Sequence, residues 1–264
     1  MGKPFGIVRS YYRNGKPYIE TQYAKGVKNG LEKEFNENGV LHYEYPYIDS
    51  VLNGIVKEYD ESGKVYSETP YYNGIKNGLE KAYYDSGKIW KEIPYVNGKE
   101  DGLAKEYYKN GKLASEYPWI EDKANGVVKW YYENGMLQKE TPYTNDTVNG
   151  LKKEYYENGK VKSEAILTKG QGIEKEYYES GKLKRETPYS YYPDSINGVD
   201  KGYYENGKLE HFATYSRGTA VGIHKNYYEN GKIRDEWNFT KDTSWCVKDY
   251  DEDGNLTDIG RLKR

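Results

Sequence analysis

Aromatic, β-branched and charged positions alternate along this chain in short runs, and each run turns on a glycine-bearing tripeptide. In Tyr155-Tyr156-Glu157-Asn158-Gly159-Lys160 two aromatics precede a Glu-Asn-Gly turn, and Val161-Lys162-Ser163-Glu164 follows it. Tyrosine-rich runs on both sides of Asn-Gly or Ser-Gly predict a β-hairpin. Glycine is needed there because the turn demands a positive φ. Near-copies recur every 24 residues, opening at Gly6, Gly30, Gly54, Gly78, Gly102, Gly126, Gly150, Gly172, Gly198 and Gly222. The spacing departs from 24 only at one repeat of 22 and the next of 26, and a degenerate eleventh repeat starts near Trp245. A fixed period of this size predicts a repeat array occupying residues 1–264, with 245–264 as a degenerate C-terminal cap.

Within the repeat, the sixth residue is always aromatic, from Tyr11 and Phe35 to Tyr227 and Tyr250. The next residue is a second tyrosine in eight repeats, with Asn36, Asp60 and Asp251 in its place elsewhere. A third aromatic site holds Tyr23, Tyr47, Tyr71, Tyr95, Tyr143, Tyr189 and Tyr215. Small aliphatics follow the opening glycine (Leu31, Ile55, Leu79, Leu103, Val127, Leu151) and recur after the turn.

Two hairpin registers compete. A two-residue loop sets Lys33 opposite Glu44 and Lys57 opposite Glu68. A three-residue loop, a type I turn closing on a left-handed glycine, sets Tyr107 opposite Leu113 and Leu103 opposite Tyr117. The second is favoured because it gathers Leu103, Tyr107, Leu113 and Trp119 on one face, with Tyr108, Glu106 and Glu116 on the other. A one-residue slip exchanges the faces, so the choice decides what is buried. Proline at Pro46, Pro70, Pro94, Pro118, Pro142 and Pro188 has no N–H and is expected to end the second strand or face away from the ladder. Connections such as Asn73-Gly74-Ile75-Lys76-Asn77-Gly78 are too short for anything but antiparallel neighbours. The expected fold is all-β: an elongated, single-layer antiparallel meander of about ten to eleven hairpins, twisted and open.

These residues resemble the MORN (membrane occupation and recognition nexus) repeat in its longer bacterial variant. The likeness rests on Tyr-Tyr-Glu-Asn-Gly-Lys, the Glu four residues after that Lys, the later Tyr, and connections such as Asn97-Gly98-Lys99-Glu100-Asp101-Gly102, and it runs from Gly6 to Leu256. The resemblance implies a sheet of hairpins used for protein association or scaffolding, and relatives often carry an antitoxin label. The shorter eukaryotic repeat differs in period and in its Gly-x-Gly signature, so membrane binding attributed to that class is not carried over.

Composition narrows the function. Hydrophobic residues make up 36% and charged residues 31%, too polar for one large core and too aromatic for disorder; a stack of thin layers fits. A net charge of −2 argues against nucleic acid. No apolar run reaches a bilayer span, and no targeting segment is evident. The expected location is cytoplasmic by default, or exported if a leader has been removed before Met1.

Chemistry is sparse. His42, His211 and His224 fall at different repeat positions, one cysteine (Cys246) excludes a disulfide framework, and no kinase or phosphate-loop element occurs. Neither an enzyme nor a cofactor is expected. Asp249, Asp251 and Asp253 open like a calcium loop, but Gly260 stands where the bidentate acid belongs, and the repeat pattern explains the same residues. The basic row from Arg9 to Lys248 is balanced by Glu44, Glu68, Glu92, Glu116 and Glu140. The candidate partner surface is the second-tyrosine row, Tyr84, Tyr108, Tyr132, Tyr156, Tyr178, Tyr204 and Tyr228, which suits peptide or glycan contact or plain stacking. Irregular places, Asn36, Asp60, the Tyr191-Tyr192 loop and the Trp245 cap, are where specificity is expected. The reading is a non-enzymatic scaffold binding a protein, with a glycan- or cell-surface-binding module as the alternative.

Overall fold

The computed structural model describes residues 3–190, 197–240 and 244–263. It contains no helix there; 27 strands run antiparallel in one open sheet with repeats of about 24 residues. The chain divides into two compact halves, Met1–Gly135 and Met136–Arg264, and the same hairpin builds each.

The hairpin at Gly102–Tyr107 and Leu113–Ile120 shows the rule. Its turn is the three-residue loop: Tyr108 N–H donates to Lys112 C=O at 2.8 Å, Gly111 N–H donates to Tyr108 C=O at 2.8 Å, and Gly111 has a φ of 87°. Tyr107 accordingly pairs with Leu113. The register then shifts: Glu106 pairs with Ser115, leaving Ala114 as a bulge, so Lys105 meets Glu116 and Leu103 meets Pro118 rather than Tyr117. The same shift follows the turn of every hairpin paired within one half, and Lys33 therefore faces Glu44 and Lys57 faces Glu68. The turn belongs to one register and the ladder to the other, with one unpaired residue reconciling them.

The bulge corrects the expected faces. Leu103, Lys105 and Tyr107 share one face with Leu113, Glu116 and Pro118, while Ala104 and Glu106 share the other with Ser115, Tyr117 and Trp119. The second of these carries the buried layer: Ala104, Ser115 and Val128 in the N-terminal half, and Thr141, Ser163, Ala165, Leu167 and Asp200 in the C-terminal half. Small side chains lie flat on the sheet there and longer ones close over them. Tyr117 and Trp130 meet edge to face at 5.7 Å, with Trp130 Nε1 donating to Tyr117 Oη at 2.9 Å. Leu103, expected to be buried, is 42% exposed.

Proline does not end the second strand. Pro118 lies inside it, paired with Leu103, at a gap in the ladder to the next repeat, where only Ser115–Trp130, Glu116–Lys129, Trp119–Ala124 and Ile120–Lys123 pair. Its carbonyl still accepts Asn125 N–H at 3.0 Å. The opening glycine of the next repeat sits against the ring: a Cβ on Gly126 would lie 2.9 Å from Pro118 Cγ, and its φ is 124°. Proline and opening glycine are thus one device, a narrow break in the inter-repeat ladder. At Ala165-Ile166-Leu167, where isoleucine stands in the proline slot, the ladder to the next strand closes over six consecutive pairs from Ser163–Glu176 to Thr168–Gln171, whereas Gln22 and Thr214 in the same slot leave it interrupted. A connection without the break needs fewer residues, which accounts for the 22-residue repeat.

Candidate functional site

Three sets of contacts tie each repeat to the next. In the first, the sixth-position tyrosine donates its hydroxyl back to the preceding repeat's glutamate: Tyr59 to Glu44 at 2.8 Å, Tyr83 to Glu68 at 2.8 Å, Tyr107 to Glu92 at 2.9 Å, Tyr155 to Glu140 and Tyr177 to Glu164 at 2.7 Å. Burial, then the hydrogen bond to the carboxylate, pushes these five hydroxyls up to about 12. The same carboxylates take the lysines of the basic row, as in Lys33–Glu44 at 3.2 Å and Lys57–Glu68 at 3.3 Å. The bond from Tyr83, with Lys57 beside it, holds Glu68 below the ordinary carboxylate range despite burial. The two charge rows therefore neutralise each other at contact distance, closer than the favoured register implied.

The second set uses the second tyrosine. Tyr84 donates to Tyr107 C=O at 2.6 Å, Tyr108 to Tyr131 C=O at 2.5 Å, Tyr156 to Tyr177 C=O at 2.7 Å, Tyr178 to Tyr203 C=O at 2.7 Å, Tyr204 to Tyr227 C=O at 2.6 Å and Tyr228 to Tyr250 C=O at 2.8 Å. Their rings are half-buried, as is that of Tyr132, and some lean on the bulge residue, as Tyr84 does on Trp90 at 6.5 Å. The hydroxyls drawn as a free row thus serve the array. Tyr191 and Tyr192 lie outside the described residues, as does the side chain of Trp245.

The third set lies at the turns. Lys112 Nζ reaches Asn134 C=O at 2.9 Å, Lys182 Nζ reaches Glu205 C=O at 2.8 Å, and Lys208 Nζ reaches Asn230 C=O at 2.6 Å. Asn36, Asp60 and Asp251 act differently from the tyrosines they replace. Their side chains accept N–H groups of their own turns, as Asp60 Oδ1 does from Ser62 at 2.8 Å and Lys64 at 3.0 Å.

What remains outward on the Lys–Glu face is the aliphatic row. Leu31, Ile55, Leu79, Leu103 and Val127 are exposed in the N-terminal half, and Leu151, Ile173 and Ile223 in the C-terminal half. At the closed ladder the row widens: Ile166 is 73% and Ile173 60% exposed. With Leu151, Pro188 and Val199 they line an open groove of about 900 Å³, bordered by Glu164, Lys175, Glu186 and Lys201. Sequence reasoning placed these aliphatics in the core because no single-residue signal reveals the bulge.

On the opposite face, the third residue of each repeat varies from Glu to Val, Ala, Lys, Asp and His, and the charged choices Glu32, Glu80, Lys152, Glu174 and Asp200 have oppositely charged neighbours. Lys76 pairs with Glu80 at 2.7 Å and lies over the Tyr95 ring at 4.6 Å. Lys152 pairs with Glu174 at 3.1 Å over Tyr189. Asp200, 2% exposed, accepts from Arg185 Nε and Nη2 at 2.8 and 2.7 Å and from Thr187 Oγ1 at 2.8 Å, with His211 Nε2 at 3.1 Å. These donors hold its carboxyl far below the usual range against the cost of burial.

No catalytic constellation forms from the histidines. His42 Nδ1 meets Tyr59 C=O at 3.2 Å, His211 serves Asp200, and His224 packs on Phe239 at 4.2 Å. Cys246 is buried, and burial with a hydrogen bond to Asp249 raises its pKa. Among the described residues, no group of three or more His, Cys, Asp or Glu is arranged to hold a metal. Asp251 closes the last hairpin turn through Asn255, while Asp249 pairs with Asp258 along the strand.

Geometry of this kind defines a β-hairpin repeat protein whose repeats are joined by tyrosine, glutamate and lysine at fixed positions. The profile of the MORN repeat variant matches residues 6–25, 28–49, 52–73, 76–97, 100–121, 124–145, 148–167, 171–194 and 220–241, and the chain belongs to that family. The profile passes over residues 195–219, the repeat holding Asp200, yet the hairpin Gly198–Tyr203 with Leu209–Ser216 is formed there. No curated protein matches the chain. Among solved structures it is similar to chains of TcdB2-TccC3-Cdc42 and TcdB2-TccC3-TEV, which cover 98% and 97% of it at 13% identity, with TM-scores of 0.21 and 0.22. This chain spans 15% of the length of each.

Proposed function

We propose that the whole chain is a single non-enzymatic scaffold that binds a protein partner on its Lys–Glu face. The exposed aliphatic row carries this reading: aliphatic side chains left outward at a fixed position in successive repeats, flanked by neutralised charge, make an apolar strip with a polar rim. The groove around Ile166 and Ile173 is its widest place and the proposed centre of contact. Antitoxin action is one form of this reading, in which the partner is a toxin held inactive.

The alternative, a glycan- or cell-surface-binding module built on the second tyrosines and the Tyr191-Tyr192 loop, has the rings in its favour but needs polar groups to fix orientation. The hydroxyls of Tyr84, Tyr108, Tyr156, Tyr178, Tyr204 and Tyr228 are already used.

Affinity capture from the native organism with mass spectrometry tests the choice. The protein reading expects one stoichiometric protein retained in the presence of competing sugars and lost from the Ile166→Glu, Ile173→Glu double variant. Elution by sugars, with retention unaffected by those substitutions, favours the glycan module and overturns the strip.

A further inference from the structure

On the face that carries the buried layer, a lysine ammonium caps the third aromatic of several repeats. Lys28 lies over the Tyr47 ring at 4.7 Å and pairs with Glu32, and Lys76 lies over Tyr95 at 4.6 Å and pairs with Glu80 at 2.7 Å. In both, the lysine stands two residues before the opening glycine and the glutamate is the third residue of the repeat. In the C-terminal half the same place, over Tyr189 and beside Glu174, is taken by Lys152 of the preceding repeat, at 4.7 and 3.1 Å. Ring, carboxylate and ammonium are thus a fixed arrangement, and the ammonium can be supplied from more than one position.

The repeat opening at Gly102 has the ring and an acid but no such lysine. Trp119 holds the aromatic slot, Glu100 stands where Lys28 and Lys76 stand, and Ala104 stands where Glu32 and Glu80 stand. Where the third-residue acid is lost in neighbouring repeats, aliphatics occupy both slots, Leu52 with Val56 and Ala124 with the buried Val128. Here a cavity of about 140 Å³ opens instead, lined by the buried Ala104 and Ile93, by Tyr117 and Trp119, and by Glu100, Glu106 and Lys91. Lys91 Nζ and Ser115 Oγ are drawn to Glu106, at 3.6 and 3.1 Å. Glu100 is pinned opposite Tyr95, its N–H donating to Asp122 Oδ1 at 2.7 Å, and the Tyr95 hydroxyl reaches its carboxylate at 3.4 Å. Among the described residues no cation lies over Trp119 and none pairs with Glu100. The lining therefore carries two carboxylates to one ammonium, and a half-buried carboxylate without a counter-charge favours a cation.

We propose that this cavity binds a primary alkylammonium group supplied from outside the chain, seated against Trp119 between Glu100 and Glu106. The ring and the carboxylates attract the same charge. At ~30 Å³ for each water-sized group the cavity takes about five, the size of the butylammonium that forms a lysine side chain. A free amine and a protein lysine share this chemistry. The site faces away from the aliphatic strip and does not rest on the reading of that strip.

Butylammonium chloride titrated into the full chain at constant ionic strength tests this, followed by NMR at the amides of residues 91–106 and at the Trp119 indole N–H, assigned by its loss in Trp119→Phe. Saturable shifts are expected with a Kd on the order of 1 mM, and neutral butanol binds at least about tenfold more weakly. Glu100→Gln weakens binding about five- to tenfold. The double substitution Glu100→Lys, Ala104→Glu writes the Lys76–Glu80 pair into this repeat, is expected to fold because it follows the array's own pattern, and abolishes binding. Nα-acetyl-lysine amide separates the sources: affinity at least equal to that of butylammonium identifies a protein lysine, and weaker affinity a free amine. The proposal is overturned by the lack of a saturable shift at ~50 mM butylammonium, well above that Kd. An equal response to butanol, or undiminished affinity in the double variant, overturns it as well.

Discussion

Asp200 shows how much one side chain can depend on its neighbours here. It is nearly inaccessible, and its charge is tolerable only because Arg185, Thr187 and His211 donate to it. Asp200→Ala is expected to cost roughly 2–3 kcal/mol, less than for a fully buried pair because the Arg185 side chain is 41% exposed and regains water. The midpoint of urea unfolding measures it. A loss under about 0.5 kcal/mol would mean the cluster is ornamental. The sequence held no warning of this cluster, since Asp stands in a slot that elsewhere takes Glu, Val, Ala, Lys or His. Its donors come from neighbouring strands at separations of 11 to 15 residues, and only the register brings them together.

At the scale of the hairpin, the proline–glycine device and its replacement at Ile166 give a paired experiment. Ile166 pairs with Leu151 on one strand and Ile173 on the other, so its N–H is needed where that of Pro118 is not. Ile166→Pro should destabilise the protein by about 3 kcal/mol, whereas restoring isoleucine at Pro142 should be close to neutral, because no N–H partner awaits it. Equal effects in thermal or denaturant unfolding would refute this account. The all-β hairpin array and its antiparallel order were readable from the period, because Glu-Asn-Gly turns and short connections leave neighbouring strands no other arrangement. The turn type stayed between two registers, and the three-residue loop was favoured for a gathering of Leu103 with Trp119 that the bulge undoes. The face of each strand was not readable. It hangs on Ala114 and its counterparts being skipped, and a bulge residue carries no composition of its own: Tyr18, His42, Tyr66, Trp90, Ala114 and Lys162 all serve. Lysine–glutamate complementarity was the audible part of that signal, and it was correct for the ladder while the turn argument was correct for the loop.

Over the whole molecule, repetition multiplies a titration. Tyr45, Tyr59, Tyr83, Tyr107, Tyr155 and Tyr177 are pushed up to about 12 in the folded chain, against about 10 when unfolded. Between those values the unfolded chain has released protons that the folded chain keeps, so stability must fall as pH rises from about 10 to 12 and level off above. Below pH 10 both states keep these protons and the group contributes no slope. Unfolding midpoints from pH 8 to 12.5, with tyrosinate absorbance recorded alongside, test this. A flat profile across that window would show that the hydroxyls titrate as if in water.

The joints between repeats also bear on how such a chain can change length. Because the sixth-position tyrosine answers the preceding glutamate from Tyr59 to Tyr203, and the turn lysine, where present, answers a following carbonyl, an unequal crossover between two tandem gene copies within that run fuses half of one repeat to half of another with the joints intact. Lengthening or shortening the array in steps of 24 residues is thereby structurally cheap. The stretch from Leu151 to Ser216 is different: its 22- and 26-residue spacings and its Asp200–Arg185 pair match each other and no other repeat, so recombination there would separate partners. That stretch should be inherited as a block while the number of regular repeats around it drifts.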